Sequence, residues 1–238
     1  MSPLDTLAGR LPDGAVRLEE ALAAGHLTVG HYPQSIALST VGGWIAAASA
    51  GQAAGHLAGD AVRAVDVGTV TCAGAAPRCF VHIAQAGLGG EVVARSAGLS
   101  RLLGAARYAA AFWLTLPGFR PAAVRLDAGG HAYAWRAFNV VVANCRFYGG
   151  GMQIAPNSDP GDGLLDVLVM TGPKSGSCTT LPKVYRGAHL PHRHIAEPRA
   201  GRLRVEAGAP FPVEADGELL GTTPASFGII PAGLRLKV

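Results

Sequence analysis

The chain has 238 residues, of which 49% are hydrophobic and 15% charged, with a formal net charge of +4 and a pI near 9.1. This composition excludes an intrinsically disordered chain and supplies enough apolar side chains for a sizeable core. The longest apolar stretch, Tyr108 to Leu116, is too short for a bilayer span of about 20 residues, and the scattered basic residues read as a solvated surface with no nucleic-acid partner.

The N-terminus, MSPLDTLAGRLPDG, has neither a basic n-region nor an apolar h-region, so a cytoplasmic chain is expected, at most peripheral at a membrane. Cys72, Cys79, Cys145 and Cys178 lack metal-ligand spacing and read as reduced core thiols. Residues 5 to 24 read as a helix broken at Leu11-Pro12-Asp13-Gly14, and Leu27 to Pro33 as a short strand. The small, Gly-rich run 35 to 52 reads as a loop opening the Ala-rich helix Ile45 to Ala50.

From Ala54 the pattern changes. HLAGDAVRAVDVGTV predicts a helix end, a turn and a strand; CFVHIAQAGLGGEVVA predicts a strand, Cys79 to Ala86, and a Gly-rich turn at Gly87, Gly89 and Gly90. Residues 99 to 116 have helical spacing and stop at Pro117-Gly118. Short strands follow at Ala122 to Leu126, Ala132 to Ala143, Leu165 to Met170, Gly201 to Glu206, Phe211 to Glu214, Ala225 to Ile230 and Leu234 to Val238. The expected fold class is mainly β with some α: an antiparallel β-sandwich with one helical insert over 55–238, preceded by a short α/β fragment over 1–54.

Two stretches carry the chemistry. Between the apolar runs Phe138 to Ala143 and Leu164 to Met170 lies a loop with Gly149-Gly150-Gly151 and the acids Asp159, Asp162 and Asp166. A hard cation such as Mg²⁺ takes one or two carboxylates with backbone carbonyls and water, and this loop offers both; the competing reading is a polar hairpin whose Asx side chains cap its own backbone. In VEADGE, Asp216 and Glu218 flank an Asp-Gly turn, where a carboxylate can accept a proton from an alcohol or simply belong to a plain hairpin. His189, His192 and His194 read as a solvated, lipid-facing or loop cluster, and Trp113 and Trp135 as packing residues.

Taken together, VVVANCRFYGGGMQIAPNSDPGDGLLDVLVMTG and VEADGELLGTTPASFGIIPAGLRLKV resemble the C-terminal half of the diacylglycerol kinase and sphingosine kinase family, with its bacterial lipid kinases. LAGDAVRAVDVGTV and FVHIAQAGLGGEVVA are similar to the same family's entry strands. The resemblance covers residues 55–238. It implies a two-domain kinase whose N-terminal domain binds ATP through a Gly-Gly-Asp-Gly-Thr loop and whose C-terminal β-sandwich closes the cleft. It further implies Asp216 as general base with Glu218 beside it, and Mg²⁺ held by Asp162 with backbone oxygens near Asp159 and of Leu164.

Residues 15–53, with STVGGW at their centre, resemble part of the FAD-binding domain of flavin oxidases of the alkyl-dihydroxyacetone-phosphate synthase type. No Gly-Gly-Asp-Gly-Thr occurs in the 238 residues. The expectation is therefore a lipid kinase family protein, phosphorylating a lipid hydroxyl such as that of diacylglycerol with ATP. It is expected to be truncated and inactive alone, working on a lipid at a membrane surface with a separate nucleotide-binding half or as a homo-oligomer. The alternatives are a non-catalytic lipid- or partner-binding β-sandwich and a flavoprotein fragment.

Overall fold

The computed structural model describes residues 62–100, 102, 106–148 and 151–237. The expectations for residues 1–61, the flavin-like fragment and the helix end and turn before β1 included, lie outside the described residues.

The expected antiparallel sandwich is present. One sheet contains β1 (Val62–Cys72), β2 (Arg78–Phe80), β4 (Ala122–Ala128), β5 (His131–Ala137), β10 (Arg202–Ala207) and β13 (Ala225–Lys237), in the order β2-β1-β13-β10-β4-β5. The other contains β3 (Ile83–Gly87), β6 (Asn139–Ala143), β7 (Leu165–Met170), β8 (Ile195–Ala196), β9 (Arg199–Ala200), β11 (Pro212–Ala215) and β12 (Glu218–Thr222). Its order is β12-β11-β3-β6-β7-β8, with β9 also paired to β7. The core lies between the sheets: Val124, Leu126 and Val205 of the first meet Val140, Val142 and Val167 of the second, all buried. Alternation along each strand sends every second residue into this layer.

The outer face of the seven-stranded sheet is covered as well. Ile83, Val141 and Leu168 pack there with Ile154 and Val184. Two helices between β3 and β4, α1 (Leu88–Ala97) and α2 (Ala106–Thr115), close the rest around Leu88, Leu116 and Phe138. A short helix α3 (Ser177–Val184) follows β7.

Several expectations need correction. The glycines after Gly87 do not make a turn; they open α1. A Cβ on Gly90 would lie 2.4 Å from the Pro212 carbonyl oxygen, so glycine here permits close helix-to-strand packing. Gly90→Ala is expected to cost about 1–3 kcal/mol by overpacking, seen as a lower urea midpoint at constant m; an unchanged midpoint would mean that α1 lifts off β11 freely.

The single strand expected over 132–143 is two strands in different sheets. Phe138 is the crossover, its N–H donating to the Met170 carbonyl and its carbonyl accepting from Leu88. The two strands expected at the C-terminus are one, β13, carrying a bulge opposite Asp66: the register shifts between Val65 and Val67, and Ala232 has φ 52. Of the cysteines, Cys72 and Cys145 are buried but Cys79 is exposed. His189 is buried rather than solvated, its Nε2 3.0 Å from the Ile154 carbonyl, and burial lowers its pKa. Trp135 packs against the core, whereas Trp113 faces outward.

Candidate functional site

The β11–β12 hairpin turns on Asp216 (φ 47) and Gly217 (φ 89), the left-handed pair that a two-residue hairpin loop requires. The turn places the Asp216 carboxylate over the corner between β2 and β3. There it accepts from three consecutive backbone N–H groups: Val81 to Oδ2 at 2.7 Å, and His82 and Ile83 to Oδ1 at 3.1 Å each. The Asp216 N–H returns a bond to the Ile83 carbonyl at 3.0 Å. These donors fix the carboxylate's orientation. The His82 imidazole Nδ1 stands 3.9 Å from Oδ1, and the Asp216 side chain is 27% exposed.

Asp66 of β1 organises the other motif. Buried at 3% exposure, it accepts from the Gly163 N–H at 2.8 Å and from the bulge N–H of Ala232 at 2.7 Å. Its own N–H donates to the Pro160 carbonyl at 2.7 Å. The Asn144 amide joins the two motifs, Nδ2 donating to the Asp66 carbonyl at 2.9 Å and to the Val81 carbonyl at 2.8 Å. A continuous hydrogen-bonded path thus runs from the 159–164 loop through Asp66, Asn144 and Val81 to Asp216. Asp66 and Asn144 were not picked out from the sequence as site residues; the Asp-Val-Gly of AVDVG and the Asn-Cys after β6 were the available signals.

Within the loop, both Asx turns of the competing reading form: Gly161 N–H donates to Asp159 Oδ1 at 3.1 Å and Leu164 N–H to Asp162 Oδ1 at 3.0 Å. The Arg199 guanidinium bridges Asp162 and Asp166, with Nε 2.6 Å from Asp166 Oδ1. The second oxygen of Asp166 is buried and has no hydrogen-bond partner among the described residues. No cluster of three or more His, Cys, Asp or Glu side chains suited to a metal occurs among the described residues. A cation in this loop would be held by carboxylate and backbone carbonyl oxygens. Such a donor set would suit Mg²⁺, which keeps much of its water, with the unpartnered Asp166 oxygen as a further acceptor. Glu218 is exposed on β12 and pairs with Arg78 at 2.8 Å; it stands outside the hydrogen-bonded path.

A second polar path crosses the outer face of the seven-stranded sheet. Gly89 N–H at the start of α1 donates to Asn139 Oδ1 (3.0 Å), Asn139 Nδ2 to Gln85 Oε1 (2.9 Å), Gln85 Nε2 to Glu214 Oε1 (2.8 Å), and Gly217 N–H to Glu214 Oε2 (2.9 Å). Burial pushes the Glu214 carboxyl up to about 7, against the Gly217 and Gln85 donors that favour its charge, and nearby Asp216 adds to the rise. Burial and then Asp216 push the Cys145 thiol up to about 12, and that thiol donates to the Val81 carbonyl at 3.3 Å. Glu214 was not anticipated, because a strand acid next to a turn normally points to water.

Residues 82–238 match the family model described as the YegS C-terminal NAD kinase beta sandwich-like domain. A diacylglycerol kinase of Mycobacterium tuberculosis is 30% identical over 174 residues, covering 72% of this chain and 56% of that protein. A diacylglycerol kinase of Bacillus subtilis is 26% identical over 170 residues, covering 69% of this chain and 54% of that protein. The crystal structure of a diacylglycerol kinase from Bacillus anthracis shares the fold with a TM-score of 0.51 at 19% identity, over 74% of this chain and 54% of that one. The chain spans about half the length of the curated relatives it matches. None of these relatives supports the flavin resemblance of residues 15–53. No helix among the described residues is long and apolar enough to cross a membrane. With the sandwich, both Asp-Gly motifs and these matches in hand, the chain belongs to the YegS C-terminal β-sandwich family, the C-terminal domain of the diacylglycerol kinase-like bacterial lipid kinases.

Proposed function

We propose that this chain forms the acceptor side of a lipid kinase cleft, for ATP-dependent phosphorylation of a lipid hydroxyl such as that of diacylglycerol. The observation that carries the reading is the path from the 159–164 loop through Asp66, Asn144 and Val81 to Asp216, which ties a cation-suited loop and a candidate base into one rigid edge. Asp216 accepts the proton of the lipid hydroxyl as its oxygen bonds to the γ-phosphorus and the bond to the ADP oxygen breaks. Its three backbone donors hold it in place throughout. Glu218 stays at the rim, tethered by Arg78.

Asp162, with carbonyls near Asp159 and of Leu164 and the free oxygen of Asp166, would hold Mg²⁺, which when bound neutralises phosphate charge. The Arg199 guanidinium bridges these two carboxylates. The 238 residues contain no Gly-Gly-Asp-Gly-Thr loop, and in this reading the phosphates are cradled by a nucleotide-binding half that works with this domain.

The test is phosphorylation of diacylglycerol in detergent micelles with Mg-ATP, by the chain alone and mixed with the nucleotide-binding half of a relative. Turnover is expected in the mixture and not with the chain alone. Asp216→Asn is expected to lower it about 10²-fold, the lower end of general-base effects. Equal rates for the variant and the wild type would sink the assignment of Asp216.

A further inference from the structure

The outward face of α2 is unlike the rest of the surface. Ala111 and Thr115 point inward and are buried; Ala106, Ala109, Trp113 and Leu114 point outward, and Pro117 and Gly118 continue that ridge. Trp113 is 45% exposed and Leu114 58%. No charged side chain interrupts the ridge, although a helix facing water normally carries one every turn or so. Leu102, just before α2, is 98% exposed.

The charge around the ridge is mostly basic. From Glu91 to Asp127 the sequence contains five arginines, Arg95, Arg101, Arg107, Arg120 and Arg125, against two acids, Glu91 and Asp127. Arg95 and Arg120 are exposed, while Arg107 lies against Tyr108, its guanidinium 4.8 Å from the ring centroid and donating to the hydroxyl at 2.9 Å. Arg125 alone of the four described arginines pairs with an acid, Asp127, at 3.5 Å. The end of the helix is sealed: Lys174 Nζ donates to the Pro117 and Phe119 carbonyls at 2.7 and 2.6 Å. The turn can then approach an apolar phase without stranding these acceptors.

We propose that this ridge is a membrane-docking surface for an anionic lipid bilayer, with Trp113 and Leu114 entering the headgroup region and the surrounding arginines meeting lipid phosphates. A tryptophan beside an aliphatic side chain, inside a net basic field, is the chemistry of an interfacial helix. A purely apolar protein partner would account for the ridge but not for the basic excess around it. The inference extends the lipid kinase reading to how the domain reaches its substrate, and does not depend on the phosphoryl step.

The test is co-sedimentation of the full 238-residue chain with vesicles of phosphatidylcholine alone or with about a third phosphatidylglycerol, at low and raised salt. Binding is expected only to the anionic vesicles, weakening as salt screens the arginines. Trp113→Ser with Leu114→Ser is expected to weaken it roughly ten-fold or more, and Arg120→Glu roughly ten-fold. Both sites are solvent-facing, so circular dichroism and melting should match the wild type. Three results would overturn the proposal: no sedimentation of the wild type, variants that bind like the wild type, or a wild-type dimer that the ridge variants convert to monomer, which would assign the ridge to a second copy. Micelle phosphorylation without vesicle binding would overturn the docking and keep the kinase reading; vesicle binding without phosphorylation by the mixture would do the reverse.

Discussion

Asp66→Ala is expected to destabilise the folded chain by on the order of 3–5 kcal/mol, because two backbone donors lose a buried charged acceptor at once. The donors are the N–H groups of Gly163 and Ala232, at 2.8 and 2.7 Å. The first sits in a loop, the second at a bulge where the ladder between β1 and β13 is interrupted. Asp66→Asn should cost about half as much, since an amide offers one acceptor oxygen and turns an N–H toward the second donor. Urea unfolding at constant m measures both. Hydrogen exchange at Gly163 and Ala232 should quicken together in either variant. A loss under about 1 kcal/mol for the alanine variant would mean that water replaces the carboxylate, and Asp66 would lose its place as the hub of the site.

The second large effect is a pH dependence set by Glu214. Its side chain is 2% exposed, and burial raises its pKa from an ordinary 4.5 to about 7. The folded state therefore favours the neutral acid. The Glu214 contribution is fully present below pH 4.5 and is lost progressively as pH rises through 7, since the unfolded chain ionises first. A shift of this size corresponds to about 3 kcal/mol between those limits. The charged and titratable neighbours are Asp216, which opposes ionisation further, and Tyr148, whose hydroxyl is itself pushed up by burial and by Glu214. Glu214→Gln should flatten the profile between pH 4.5 and 7 while retaining an acceptor for the Gly217 N–H. A variant whose stability falls as steeply as that of the wild type over this range would assign the titration elsewhere.

The sandwich was legible in the sequence because its inner strands are short, apolar and separated by strong turn signals. Both Asp-Gly turns were visible for the same reason. What sequence reading missed is non-local. The apolar run through Phe138 is continuous, so nothing local marks the point where the chain changes sheets. The glycines of α1 look like a turn until Gly90 is seen against Pro212. Pro231-Ala232-Gly233 looks like a strand break until Asp66, 166 residues away, satisfies the bulge.

The motif acids Asp216, Asp162 and Asp159 were named in advance, while the side chains that hold the site together were not. Asn144, Gln85 and Glu214 act through partners on other strands, and a buried polar residue declares itself only when its partners are in place. Trp113 was misjudged because helical spacing shows which residues share a face but not which face turns outward.

The pairing of β1 with β13 also governs how the domain is made. β13, the last of the described strands, lies third in a six-stranded sheet, between β1 and β10. A nascent chain emerging in order offers β1 no neighbour on that side until the other twelve described strands have been synthesised, and Asp66 waits with it. Closure of that sheet is then a late, long-range event of the kind that slows folding. Until it occurs the inner edges of β1 and β10 stand open to other strands, which makes the interval before β13 docks the domain's most aggregation-prone moment.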